Sequence, residues 1–531
     1  MFRKVQDWVN SLIVQVMVGT PSAFHSSLQL ANRTRSLLLA VATLATFMVG
    51  FTPQAQAAPL QMDQSLSGKP NIVLVLMDDH GATGDYQDLQ RLPNISSIFL
   101  DQGISFTNYL ANFSLCCPGR AALYTGLRDD HNGVMGNNGA QLFDPRASIF
   151  TELQAQGYWT AGYGKWFNGT NTAAINRIRG MNAFAWKNHG QYYSYPIWIK
   201  NPTTGKITQA HYGNSPSDYS TDVVSQYAMQ SLNAVPAGQP VFLDLAPNAT
   251  HGGPDATGHK DHIQPVPDPK YVGDPRCQGI PPYDPASYNE ANVSDKPAYV
   301  QKLHLLTSAE YKNGWPMEKN CEALLAVDDW LGQTVQWLTA TGRINNTIFI
   351  LTSDNGMGWG ANRIEGKIAP YTVRMPLFIT WPGVTPTTPT QNSTLLSNID
   401  VAPTLCEIAG CTMGPYFNYS GPPDGESFAG LIAPSSGYSA PVVNRTSVVI
   451  EGKSSAIPAF RGEVTGANYS LGQWMYVNDG ELYDLSGGPC VDWQVGDPGD
   501  PCMMTNVYKQ YPAIDKALAK KLKHDWRYGT Y

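Results

Sequence analysis

Residues 71–81 read Asn-Ile-Val-Leu-Val-Leu-Met-Asp-Asp-His-Gly, and most of the architecture can be worked out from this stretch. The apolar run Asn71–Met77 predicts a strand buried on both faces, as in a parallel sheet covered by helices. Asp78 and Asp79 follow directly, at the end of the strand where open α/β sheets bind their ligands. The pair therefore indicates a divalent cation site; a solvated loop or a helix N-cap is the alternative.

Three further predicted strands run into polar side chains in the same way. Each is short and apolar, which is typical of a buried parallel strand. A lysine at such an end suits anion binding, although it can also be an ordinary surface residue. The strands and the polar residues that follow them are Thr160–Tyr163 before Lys165, Val241–Leu245 before His251, and Thr347–Thr352 before Asp354 and Asn355.

Residues 114–126 contain the pentapeptide Cys116-Cys117-Pro118-Gly119-Arg120, which opens a predicted helix. Proline suits a first helical turn, where free backbone N–H groups point towards a site in front of the helix. Arg120 lies within about one turn of Cys116. In the polar loop that follows, His131 could line the pocket or merely cap the loop, and the residues leave both readings open.

Composition narrows the function classes. The chain has 531 residues, is 42% hydrophobic and 15% charged, and carries a net charge of -7. Its length is ample for a large core. The negative charge argues against a nucleic-acid partner, which would need a basic face.

The first 57 residues are predicted to be an N-terminal extension with a signal peptide. Arg33 and Arg35 precede the apolar run 37–51, and Ala55-Gln56-Ala57 forms a small-x-small cleavage pattern. The apolar run is too short for a comfortable membrane span. We expect export to the periplasm or the medium after cleavage near Ala57, with no stable membrane partner; an uncleaved anchor is the alternative.

Eight cysteines fit an oxidising compartment. Short loops favour the bridges Cys406–Cys411 and Cys490–Cys502, and Cys277–Cys321 follows by elimination. Asn-X-Ser/Thr tripeptides would make the chain a glycoprotein only in a eukaryotic host. They occur at Asn94, Asn112, Asn168, Asn248, Asn292, Asn345, Asn392, Asn418, Asn444 and Asn468.

Two domains are expected in the mature chain. Residues 69–430 predict an α/β catalytic domain with a large, mostly parallel mixed sheet flanked by helices. Residues 440–531 predict a smaller C-terminal subdomain with an antiparallel sheet and a helix. Residues 252–300 are rich in Pro, Asp and Gly and indicate a long insertion that shapes substrate specificity. Predicted helices are Leu92–Leu100, Phe150–Gln156, Tyr219–Leu232, Tyr311–Leu338, Asn398–Leu405 and Pro512–Lys523.

Taken in order, the motifs of residues 69–531 resemble those of the formylglycine-dependent sulfatases in the alkaline-phosphatase-like superfamily. The form of the cysteine motif is most similar to the arylsulfatase and N-acetylglucosamine-6-sulfatase branch. The motifs are Asp78-Asp79, Cys116-x-Pro118-x-Arg120, Gly164-Lys165-Trp166, Ala246-Pro247 with His251, Ser353-Asp354-Asn355-Gly356, Gly366-Lys367 with Arg374-x-Pro376-Leu377, and Asn398-Ile399-Asp400.

The resemblance implies a sulfate ester hydrolase whose nucleophile is made from Cys116. A formylglycine-generating enzyme would oxidise Cys116 to formylglycine, and one hydroxyl of its hydrate would attack the sulfur of a sulfate ester. Arg120, Lys165 and Lys367 would offset sulfuryl charge, and His251 would contact the sulfate or protonate the leaving oxygen. The resemblance implies one Ca²⁺ per chain, held by oxygens of Asp78, Asp79, Asp354, Asn355 and the modified Cys116.

The chain departs from the family pattern at three places. Gly119 stands where serine is common, and Thr372 where glutamate is frequent. Phe167 and Asn168 follow Lys165-Trp166 where many relatives have histidine, so His131 or Asn168 would have to supply its proton chemistry. The alternatives are a phosphodiesterase or phosphonate monoester hydrolase of the same superfamily, and a non-catalytic protein that binds sulfated glycans.

Overall fold

The computed structural model describes residues 68–528, apart from residues 417, 418, 489, 491 and 493. The predicted signal peptide and the tripeptide at Asn418 lie outside the described residues. No helix within the described part of the chain is both long enough and apolar enough to cross a bilayer.

A ten-stranded mixed sheet forms the centre of the fold, in the order β11-β2-β10-β9-β1-β8-β4-β5-β6-β7. The five strands β9-β1-β8-β4-β5 pair in parallel. The strands of this sheet are β1 Asn71–Met77, β2 Ile104–Phe106, β4 Trp159–Lys165, β5 Ala183–Lys187, β6 Pro196–Lys200, β7 Ile207–His211, β8 Val241–Ala246, β9 Thr347–Ser353, β10 Leu377–Thr380 and β11 Thr390–Asn392. A small two-stranded sheet pairs β3 Tyr109–Leu110 with β12 Leu396–Ser397.

Both faces of β1 are buried, as the apolar run predicts. Ile72 and Leu74 belong to one hydrophobic core, whereas Val73 and Val75 belong to the core on the opposite face. Successive side chains of a strand point to opposite faces, so a strand covered on both sides is apolar at every position. The helices that cover the faces include α1 Cys116–Thr125, α2 Ile149–Ala155, α3 Thr172–Arg177, α4 Ser220–Leu232, α5 Glu318–Ala340 and α6 Val401–Ala409.

The C-terminal region forms the antiparallel sheet that the sequence predicts. Four strands pair in sequence order, and a long helix lies against three of them. The elements are β13 Ser447–Gly452, β14 Phe460–Thr465, β15 Trp474–Val477, β16 Glu481–Asp484 and α7 Pro512–Tyr528. The fold class is therefore confirmed, while the boundary between two separate domains stays a prediction.

The helix predicted over Tyr311–Leu338 is wrong at its start, because α5 begins at Glu318. Trp315 instead exchanges two backbone hydrogen bonds with Tyr283, at 2.8 and 2.9 Å. Pro316 follows, and a residue before proline is disfavoured in the helical conformation. Tertiary pairing thus delays the start of the helix by seven residues, from Tyr311 to Glu318.

Two other predicted helices are broken. The stretch Leu92–Leu100 contains a short turn, Pro93–Ile95, and a π-helical turn, Ser96–Leu100. Asn398–Leu405 begins as the 3-10 turn Asn398–Asp400 before α6 starts at Val401. All three predicted disulfides are confirmed, with Cα–Cα distances of 5.6 Å for Cys277–Cys321, 4.7 Å for Cys406–Cys411 and 4.8 Å for Cys490–Cys502.

Candidate active site

Four parallel strands bring their carboxyl ends to one edge of the sheet, and the predicted site residues follow them. In the register, Met77 of β1 faces Ser353 of β9, and Gly164 of β4 faces Ala246 of β8. Asp79 adopts a left-handed backbone with φ +63°, which is uncommon for residues other than glycine. Backbone strain of this kind concentrates at functional sites.

We call Asp78, Asp79 and Asp354 the strand-end cluster; all three are buried. Two buried cations neutralise its inner side. Lys165 Nζ lies 2.5 Å from Asp78 Oδ2, and Arg120 Nε donates to Asp354 Oδ2 at 2.9 Å. Arg120 Nη1 also donates to the backbone oxygen of Lys165 at 2.8 Å. Arg120 and Lys165 are therefore linked to each other, and each pairs with an aspartate that follows a strand.

The outer side of the cluster meets the nucleophile position. Lys367 Nζ donates to Asp79 Oδ1 and lies 2.9 Å from Cys116 Sγ. Asn355 Nδ2 donates to the same Asp79 oxygen at 2.8 Å, and Cys116 Sγ lies 3.9 Å from it. Cys116 is a free, buried thiol, so it is available for modification at this point.

Helix α1 presents Cys116 and Arg120 together because residues four apart share a helix face. The helix is buried along its whole length and ends at Gly126, whose φ of +71° suits a glycine C-cap. Gly119 lies directly against β9: a Cβ there would come within 1.9 Å of the backbone oxygen of Asp354. A serine at this position, as is common in the family, would therefore require helix α1 and β9 to move apart.

His251 faces the same cluster from the loop after β8. Its Nδ1 donates to the backbone oxygen of Gly252 at 2.6 Å, which leaves Nε2 directed at Asp79 Oδ2, 3.6 Å away. One ligand atom from each of Asp78, Asp79, Cys116 and His251 lies within 4.8 Å of every other. The side chain remains about a quarter exposed, so it borders the open side of the site.

The side chains fit a hard divalent cation. Asp78 Oδ1 and Asn355 Oδ1 are buried and have no hydrogen-bond partner, so each keeps free lone pairs at the cluster. Buried polar atoms are rarely left unpaired unless something binds them. Carboxylate and amide oxygens are preferred ligands of Ca²⁺, whereas a thiol is not, which fits oxidation of Cys116.

The charges of the cluster set its ionisation. Burial opposes ionisation of Asp78 and Asp79, yet Lys165 and Lys367 hold both pKa values below the ordinary range. Burial and the charge of Asp78 raise the pKa of Asp354 well above normal. Burial works against the charge of Lys367, but Asp79 and Cys116 raise its pKa well above the usual value. Lys367 is thus a fixed cation rather than a base.

The two candidates for the missing histidine occupy different places. His131 Nδ1 lies 2.8 Å from Asp424 Oδ2, and its ring stacks on Tyr419 with 4.1 Å between centroids. Its partners among the described residues are therefore outside the strand-end cluster. The backbone N–H of Asn168 donates to Cys117 Sγ at 3.2 Å, while its buried side-chain oxygen has no hydrogen-bond partner. Asn168 thus adjoins the residue next to the nucleophile.

The family model for sulfatases, described simply as "Sulfatase", matches residues 70–411. This range contains every residue of the site and nearly two thirds of the chain. The chain belongs to the sulfatase family. The family membership predicted from the order of the motifs is therefore confirmed.

Two known sulfatases are similar to this chain over about two thirds of its length. An arylsulfatase of Volvox carteri is 27% identical over 69% of this chain and 58% of its own length. The human N-acetylglucosamine-6-sulfatase is 24% identical over 64% of this chain and 61% of its own length. The chain thus spans about three fifths of these relatives.

A solved structure supports the fold. BT4656, in complex with its substrate D-glucosamine-2-N,6-O-disulfate, superposes with a TM-score of 0.64. The alignment covers 87% of this chain and 98% of BT4656 at 20% identity. At this identity the likeness establishes a shared fold alone.

Proposed function

We propose that this sulfatase hydrolyses an aryl or sugar sulfate ester, with a formylglycine made from Cys116 as its nucleophile. The observation that carries the proposal is the direct approach of Lys367 Nζ to both Cys116 Sγ and Asp79. A cation shared between the nucleophile and a metal ligand is where the sulfuryl oxygens of a bound ester need charge compensation. The names of the relatives support the substrate class.

Asp78, Asp79, Asp354 and Asn355 would hold one Ca²⁺, together with an oxygen of the modified residue 116. Such a cation would polarise a sulfuryl oxygen, and a hydrated formylglycine at residue 116 would supply the hydroxyl that attacks sulfur. Oxidation of Cys116 requires a formylglycine-generating enzyme as a maturation partner.

The other residues of the chain bind and orient the ester. Lys165 and Arg120 are fixed cations behind Asp78, so they hold the negative cluster in place while a sulfate anion approaches. Lys367 offsets charge on the sulfuryl oxygens from the open side. His251 directs Nε2 into the site and is the residue placed to protonate the leaving oxygen.

We further propose that the protein is exported after cleavage near Ala57. Two sulfatase homologues, from Caenorhabditis elegans and Drosophila melanogaster, are named as extracellular, which supports this location. The three disulfides also suit an oxidising compartment. In a eukaryotic host, glycosylation would be confined to exposed tripeptides, because the amides of Asn112 and Asn248 are buried and donate to backbone oxygens.

Turnover of p-nitrophenyl sulfate compared with bis-p-nitrophenyl phosphate tests the reaction class. The protein should be produced with a formylglycine-generating enzyme and assayed in Ca²⁺. We expect faster cleavage of the sulfate ester, and loss of both activities in Cys116→Ala. Much faster cleavage of the phosphodiester would assign the alternative hydrolase, and cleavage of neither substrate would favour a non-catalytic glycan-binding protein.

A further inference from the structure

We propose that Gly190, Tyr192 and Asn248 are positioning residues that hold the imidazole of His251 for proton transfer to the leaving oxygen. The inference rests on the proposed sulfate ester hydrolysis. It assigns a function to the loop after β5, which carries no motif of its own and meets the site from the side of β8.

Hydrogen bonds between the loop after β5 and the loop after β8 fix the backbone of His251. The hydroxyl of Tyr192 donates to the backbone oxygen of His251 at 2.9 Å and to that of Asn248 at 3.3 Å. The amide of Asn248 donates in return to the backbone oxygen of Gln191 at 2.6 Å. Tyr192 is fully buried and stacks on Tyr219, so its hydroxyl cannot easily turn away. The two loops are therefore linked in both directions.

Gly190 fixes the ring itself. A Cβ at this position would lie 2.5 Å from Nδ1 and 2.8 Å from Cγ of His251, which is closer than real Cβ atoms come. The φ of Gly190 lies outside the left-handed region, so the backbone conformation does not ask for glycine there. What excludes a side chain is the imidazole, which packs directly on the Gly190 backbone.

This packing decides which ring nitrogen enters the site. Nδ1 is held by the backbone oxygen of Gly252, so only Nε2 points to Asp79 and the nucleophile. In the proposed step, sulfur forms a bond to the attacking oxygen at residue 116, and the bond from sulfur to the leaving oxygen breaks. The leaving oxygen keeps that electron pair and takes the Nε2 proton of the imidazolium form of His251, which becomes a neutral imidazole with its remaining proton on Nδ1, while the attacking hydroxyl releases its own proton to solvent.

The dependence on the leaving group tests the proposal. Nitrophenolate departs readily as an anion, whereas the more basic 4-methylphenolate needs a proton. We expect Gly190→Ala to lower kcat/KM for 4-methylphenyl sulfate about tenfold more than for p-nitrophenyl sulfate, because general acid catalysis contributes roughly 10²–10⁴-fold. Tyr192→Phe keeps the stacked ring and removes only the hydroxyl, so it should shift the same ratio in the same direction by a smaller factor.

Tyr195→Phe is the matched control. Tyr195 lies on the same segment, but its hydroxyl donates to the backbone oxygen of Asp218 at 2.9 Å. This variant should leave the ratio of the two substrates unchanged. Equal losses on both substrates in the Gly190 and Tyr192 variants would overturn the positioning role, and Tyr192→Phe decides alone if Gly190→Ala does not fold. Absence of any sulfate ester turnover in the wild type would instead remove the proposed function and this inference with it.

Discussion

The described part of the chain contains two clusters of three carboxylates each, and the two clusters differ in the cations that contact them. The strand-end cluster borders the open side of the sheet edge. The second carboxylate cluster comprises Asp129, Asp130 and Glu451, each with an oxygen within 4.8 Å of the others. It joins the turn after α1 to β13 of the C-terminal sheet. Both clusters hold the same number of carboxylates, so this number does not distinguish them.

The cations near each cluster make the difference. Lys165, Arg120 and Lys367 contact the strand-end cluster directly. In the second carboxylate cluster, Arg128 Nε lies 3.5 Å from Asp130, but its other nitrogens donate to backbone oxygens at the end of α7. Buried carboxylates without strong compensation retain protons.

The ionisation of the two clusters follows from this difference. Burial raises the pKa of Asp129 to about 6, where the charge of Asp130 adds to the effect and a hydrogen bond with Glu451 opposes it. Burial and the neighbouring Asp129 raise the pKa of Glu451 well above its ordinary range. The lysines keep Asp78 and Asp79 ionised instead. The lysines therefore prepare Asp78 and Asp79 for a metal and an anionic ester, while burial and the charge of Asp78 still raise the pKa of Asp354 in the same cluster. In the second carboxylate cluster the scarcity of cations favours a retained proton with a structural role.

Removal of a cation from the strand-end cluster should have the largest effect. Arg120→Met leaves Asp354 and Asp78 buried with less compensation, which costs about 3–5 kcal/mol of unfolding free energy when a buried ion pair is broken. Denaturant unfolding measures the loss. Arg461→Met is the comparison at the second carboxylate cluster, where a partly exposed pair at 4.0 Å should contribute below about 1 kcal/mol. Equal costs would contradict the distinction.

Calcium should stabilise the protein only through the strand-end cluster. At about 100 times its dissociation constant, a ligand of the folded state adds about 2.7 kcal/mol, which chelation should remove. Asp78→Asn should abolish this calcium-dependent shift in thermal unfolding, and Asp129→Asn should retain it. A calcium-dependent shift that disappears in Asp129→Asn but persists in Asp78→Asn would place the cation in the second carboxylate cluster instead.

The packing behind the nucleophile should give the next effect. Gly119→Ser forces an added atom against the Asp354 backbone oxygen, and overpacking of this kind costs about 1–3 kcal/mol. Unfolding of Gly136→Ser provides the control, because no heavy atom lies within 4 Å of a Cβ at Gly136. Normal stability of Gly119→Ser would show that α1 and β9 can separate without loss.

The last expected effect is a dependence of stability on pH at the second carboxylate cluster. The folded state holds the Asp129 proton more tightly than the unfolded chain, whose carboxyl has the ordinary pKa of 3.8. Stability is therefore greatest below that value and falls as pH rises towards 6, by at most about 1.4 kcal/mol per pH unit. Across this range the wild type should lose unfolding free energy relative to Asp129→Asn as pH rises; a constant difference between the two would exclude a retained proton.

The sequence predicts the strand ends well, because β1 and β9 are mostly apolar, are buried at every position and then run into ligand residues. Asp78, Cys116, Arg120, Lys165, His251, Asp354 and Lys367 are accordingly brought together as expected. Tyr192 and Asn248 escape prediction, because their hydrogen bonds join loops 56 residues apart and leave no periodic pattern. His131 shows the converse limit: its partner Asp424 lies 293 residues away, so the sequence cannot choose between pocket and loop.

Mass spectrometry of the proteolytic peptide that carries Cys116 tests the central claim most directly. The protein should be produced with and without a competent formylglycine-generating enzyme, and both preparations compared. The account predicts formylglycine at residue 116, cysteine at residue 117, and sulfate ester turnover in proportion to the modified fraction. Unmodified Cys116 in a preparation that still cleaves sulfate esters fully would contradict it.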